Sequence, residues 1–218
     1  MPVVAHDLWL EREGGGVTLY QGHKYSSHDG AQTIAYDADF VKEATCLKAD
    51  GRIEPLALTR SAPWRSAAQG CAAMRVAASS GYWTKTPWET KNAPKTGVSN
   101  VVKSWLSQES VKHVEHWAAG VERPLSAELE ITPAANPLAL KPDDKLVVLV
   151  TENGQPKAGV PVAYGGDVRG ATGADGRIAI RLRHDGVQLI EASVETPLTD
   201  GQADTVIRTA ALQFEISK

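Results

Sequence analysis

The chain reads as mostly β: two β-sandwich domains with a short helical insertion between them. Three observations predict this. Apolar and polar residues alternate with period two through many short runs. Gly-rich or Asp-Gly turn signals break those runs at intervals of about 8 to 12 residues, the rhythm of a sandwich. One stretch alone carries helical spacing. The expected division is an N-terminal β domain over 1–97, a helical segment over 98–122 and a β-sandwich over 123–218.

In HDLWLER, Leu8 and Leu10 alternate against polar neighbours, Gly14 to Gly16 force a turn, and Gly16 to Tyr20 resume the alternation, which predicts a hairpin. Phe40 to Leu47 and Ile53 to Leu58 flank Asp50-Gly51, whose residues suit a two-residue hairpin loop. Met74, Val76 and Ala78 alternate again. In the stretch SSGYWTKTPWETKNAPKTG that follows, Pro87 and Pro94 rule out a central strand or a helix interior.

Within 98–122, Val101, Val102, Trp105 and Leu106 share a helical face that Val111, Val114 and Trp117 continue less regularly. Ser99 can cap the start, Gly120 closes the region, and Ser107 and Ser110 interrupt it, which predicts two short helices or a bend. From Leu125 the pattern is β again: Leu125 to Ile131, Lys145 to Thr151, Val160 to Tyr164, Ile178 to Leu182, Val187 to Val194 and Val206 to Ile216, with a turn at Asp175-Gly176.

The 218 residues suffice for one large or two small cores. A hydrophobic share of 42% with 22% charged residues is ordinary for a globular chain, and no apolar run nears the length of about 18 that spans a bilayer. A net charge of −3 without a basic stripe argues against nucleic acid as a partner. Cys46 and Cys71 stand in no metal-ligand spacing, so a disulfide is their simplest pairing. Closing a loop of about 25 residues would stabilise by roughly 3 to 4 kcal/mol and calls for an oxidising compartment such as the periplasm. Two reduced, buried thiols in a cytosolic core are the alternative.

The start, MPVVAHDLW, sets the small-residue triplet Val3-Val4-Ala5 directly against His6. Export signals end in this way, so Pro2 to Ala5 read as the tail of a removed signal peptide and His6 as the first residue of the exported chain. An ordinary cytosolic N-terminus is the bland reading.

No GxSxG elbow, HExxH, GxxxxGK[ST] or strand-borne GxGxxG occurs, and the chain is expected not to be an enzyme. The six histidines are more informative, since imidazole nitrogen ligates Ni, Co, Cu and Zn ions. Three fall in the first 28 residues: a hairpin turned at Gly14 to Gly16 brings His6 near His23, and His28 could return towards them. A free amine on His6 would add a nitrogen and give a tetragonal set suited to Cu(II) or Ni(II). Asp7 or Asp29 could serve as ligand or as the acceptor that fixes a tautomer. Against this stands the reading of His6 as an edge-strand surface residue and of His23 and His28 as loop residues. His113 and His116 read as a solvated helical face, and His184 as structural. Trp83 and Trp88 are the best candidates for a sugar-binding platform.

The stretches AHDLWLE, YQGHKY, SSGYWTKTPWETKN and GQPKAGVPVAYGG through TGADGRIAIRLRHDGVQLIEASVE together resemble the periplasmic nickel/cobalt uptake component family, a group catalogued as a domain of unknown function. The tail separately resembles an Ig-like, transthyretin-like or carboxypeptidase-regulatory-like sandwich. The resemblance implies an exported protein that binds nickel or cobalt, accompanies a membrane metal transporter and begins at a histidine. It carries over to His6 and, secondarily, to His23. A cell-envelope carbohydrate- or protein-binding module, or a copper protein built on a terminal histidine, are the alternatives.

Overall fold

The computed structural model describes residues 6–25 and 32–217. The first three strands are β1 (Asp7–Glu13), β2 (Gly16–Gly22) and β3 (Val41–Lys48), followed by the short β4 (Ile53–Pro55) and β5 (Arg65–Ser66). Next come the long β6 (Cys71–Lys85), β7 (Thr90–Lys91) and a second long strand, β8 (Lys103–Val114). The second half holds β9 (Glu130–Pro133), β10 (Lys145–Glu152), β11 (Gln155–Pro156), β12 (Pro161–Tyr164), β13 (Asp167–Ala171), β14 (Arg177–Arg181), β15 (Gly186–Pro197) and β16 (Thr205–Ile216).

Nine of these strands form one sheet in the order β13-β12-β15-β16-β8-β6-β3-β4, with β7 paired to β6. Strands from both sides of the expected 98–122 boundary therefore share one sheet, joined where β8 runs parallel to β16 from Trp105↔Thr205 to His113↔Gln213. Period-two alternation gives this sheet two faces. Ala210, Leu212, Phe214 and Ile216 point to one face, where they pack with Ile131, Val148 and Val150 of a four-stranded sheet made of β9, β10, β11 and β14. Met74, Val76, Ala78 and Val111 point to the other, where they meet Leu8, Leu10 and Leu19 of the β1–β2 hairpin, to which β5 adds a third strand.

The mostly β expectation holds, but the helical insertion over 98–122 does not. Its centre is β8, paired with β6 on one side and β16 on the other. Much of β8 is covered on both faces, and several of its polar residues are buried and paired: Lys112 with Glu130, and Glu109 with Ser107. An interior strand with polar members loses the apolar alternation that marks a half-exposed strand, and the remaining apolar residues imitate helical spacing. The serines and valines of KSWLSQESVKHV fit the strand state better than a helix interior.

Cys46 and Cys71 form the expected disulfide between adjacent β3 and β6, with both sulfur-bearing side chains fully buried. No helix among the described residues is long and apolar enough to cross a membrane.

Candidate functional site

The β1–β2 hairpin sets the site. Its register pairs Asp7 with Gly22, so His6, just before β1, stands across from His23, just after β2. Segment 32–34 runs alongside: the His23 N–H donates to the Gln32 carbonyl at 3.0 Å and the Ile34 N–H to the Gln21 carbonyl at 2.7 Å. A side chain at Gly22 would collide with the Gln32 carbonyl oxygen, so this close approach requires glycine.

The two imidazoles meet edge to face with ring centroids 5.0 Å apart. Nδ1 of His23 is buried without a hydrogen-bond partner among the described residues. Burial, and then the neighbouring His23, lower the pKa of His6 against a smaller opposing pull from Asp7. His6 is accordingly neutral at neutral pH, the form whose ring nitrogens ligate a metal. Asp7 is anchored rather than free: its Oδ2 accepts the Lys24 N–H at 2.7 Å and the Tyr25 N–H at 3.2 Å. Burial and the adjacent Asp7 carboxylate push Glu191 up to about 8, so this carboxyl pair keeps a proton at neutral pH.

His6 also forms part of the wall of a cleft of about 560 Å³ on the hairpin face of the large sheet. Trp83 of β6 and Trp105 of β8 are cross-strand partners in that wall, stacked at 6.4 Å with their planes 13° apart. The expected partner of Trp83 was Trp88, which instead stands 76% exposed and outside the cleft. Glu109 lies deep in the same wall; Ser107 Oγ donates to its Oε1, its Oε2 has no partner among the described residues, and burial pushes it up to about 7. Sequence reasoning missed Trp105 and Glu109 because it placed them on a helix.

The remaining histidines are elsewhere. His28 lies outside the described residues. His113 Nε2 is 3.0 Å from Glu115 Oε2, part of a clamp on the hairpin, and His116 is exposed. His184 stacks on Tyr164 at 5.9 Å, a structural place. Among the described residues no group of three or more His, Cys, Asp or Glu side chains is arranged to hold a metal ion. What the hairpin brings together is two imidazoles beside a roomy aromatic cleft.

The chain belongs to the family described as Domain of unknown function (DUF4198). Its profile matches residues 3–196, from before the hairpin into β15, so the His6–His23 pair and the cleft's Trp83, Trp105 and Glu109 all lie inside it. No curated protein matches the chain.

Proposed function

We propose that the protein is an exported binder of a late first-row divalent metal, nickel or cobalt, which it holds at His6 and His23 and passes towards a membrane metal transporter. The observation that carries this reading is the convergence of the two imidazoles, one neutral at working pH and the other with an orphaned buried nitrogen. A buried polar atom without a partner costs stability, and a metal or a ligand is one reason to keep it. The intact disulfide fits an oxidising, extracytoplasmic setting. A free amine on His6 would supply a third nitrogen; copper is the alternative metal, because it accepts the same tetragonal set.

The test is a calorimetric titration with Ni(II), Co(II), Cu(II) and Zn(II), run on the 218-residue chain and on a form beginning at His6. Micromolar or tighter uptake, about −8 kcal/mol, is expected for nickel or cobalt, with His6→Ala and His23→Ala each weakening it roughly tenfold or more. Binding no tighter than about 1 mM in both forms overturns the reading. A second reading, a carbohydrate-binding envelope module, rests on the stacked Trp83–Trp105 pair in the cleft wall. Glycan binding that persists without metal and is lost in Trp105→Ala would favour it.

A further inference from the structure

We infer that the cleft beside His6 receives the metal as a small neutral chelate, with the organic ligand lying against Trp83 and Trp105 while His6 and His23 complete the coordination. This rests on the metal-binding reading above and names its substrate. Size is the first argument. A fully hydrated ion, six waters at about 30 Å³ each, occupies roughly 180 Å³. The cleft of about 560 Å³ is some three times larger and falls in the range of small-molecule sites.

Donor count is the second argument. The two imidazoles, even with a free amine on His6, do not complete the square-planar or octahedral set of a divalent ion, so positions remain that an accompanying ligand can fill. Third, the wall that carries His6 also carries a stacked indole pair, which suits a flat or aromatic organic group and has no use for a bare ion.

Charge narrows the class. Asp37 and Asp39 stand exposed on the cleft wall against the single cation Lys42, so carboxylates outnumber cations there. Anionic complexes such as citrates are disfavoured, and neutral amino-acid chelates with an aromatic side chain are favoured.

The experiment is equilibrium dialysis with labelled organic ligand, on whichever form of the chain takes up nickel in the titration above. The probes are nickel chloride, nickel with two equivalents of L-phenylalanine, and nickel citrate. Phenylalanine holds nickel through its amine and carboxylate alone, so its neutral two-to-one complex keeps positions for His6 and His23. Phenylalanine should be retained only when nickel is present, and citrate should not be retained. Trp83→Ala and Trp105→Ala should each cut phenylalanine retention roughly tenfold while changing nickel chloride binding by less than about twofold, and Trp83→Phe should restore most of the loss. Circular dichroism checks that each variant folds. If the protein strips nickel from phenylalanine and retains none, retains phenylalanine without nickel, or retains citrate equally, the inference is overturned while the metal reading stands. If neither form binds nickel chloride, both fall.

Discussion

The two faces of the nine-stranded sheet are covered in different ways. On one, a four-stranded sheet seals a continuous aliphatic core, and the polar side chains trapped there are tied to one another. Lys112, Arg75 and Glu130 each have side chains only 1% exposed; Lys112 Nζ donates to Glu130 Oε1 at 3.0 Å and to the Arg123 carbonyl at 2.7 Å. Arg75 also pairs with Glu128, and Glu130 accepts the backbone N–H groups of Leu125 and Ser126. On the other face a single hairpin covers only part of the sheet, a disulfide fastens the strands beneath it, and a cleft stays open. Buried polar atoms without partners among the described residues occur on both faces: Arg75 Nε and Nη1 on the sealed one, His23 Nδ1 and Glu109 Oε2 on the open one. What distinguishes the open face is the cleft, from which Glu109 can still be reached.

That contrast predicts the largest effect on the sealed face. Glu130→Gln keeps the shape but leaves Lys112 and Arg75 buried beside a neutral group, and removing one partner of a buried ion pair costs about 3 to 5 kcal/mol. Urea denaturation should show a lower midpoint with an unchanged slope. A loss below about 1 kcal/mol would mean that these cations reach water and that the face is not sealed. Second in size is the disulfide on the open face. Cys46→Ala with Cys71→Ala should cost about 3 kcal/mol by freeing the loop in the unfolded chain. Calorimetry should detect the loss, and no change after reduction would show that the hairpin face is held by packing alone.

How much of this was legible follows the same division. The hairpin, the disulfide pair and the approach of His6 to His23 were readable because each is local or rests on one simple rule: alternation broken by glycines, two cysteines, antiparallel register. β8 was not, because it lies between β6 and β16 inside the sheet with much of both faces covered, and its buried polar residues look exposed in a one-dimensional pattern. With β8 read as a helix, the parallel β8–β16 pair that unites both halves was invisible, as were the Trp83–Trp105 stack and Glu109 in the cleft. Ion pairs such as Lys112–Glu130 depend on which strands meet, information that no window of local sequence contains.

The smallest expected effect lies where the hairpin is clamped to the sheet. Arg12 of β1 donates through Nε to Glu115 Oε1 at 2.8 Å, and His113 at the end of β8 reaches Glu115 Oε2. Nδ1 of His113 is buried without a partner among the described residues, so Nε2 is the nitrogen that carries the donated proton. The hydrogen bond from His113, and after it that from Arg12, outweigh the opposing effect of burial and hold the Glu115 carboxyl down to about 2. A carboxyl depressed in the folded state stabilises above its unfolded value of about 4.5, and that contribution is lost as pH falls through about 2. Arg12 is half exposed, so screening reduces the effect to about 1 kcal/mol. Glu115→Gln should be less stable than the unmodified chain by that amount at pH 7, and the two stability curves should converge between about pH 4.5 and pH 2. Hydrogen exchange should place the difference in β1 and β2, because Glu115 ties Arg12 of the hairpin to the sheet; faster exchange in β10 or β14 instead would show that the two faces are not independent.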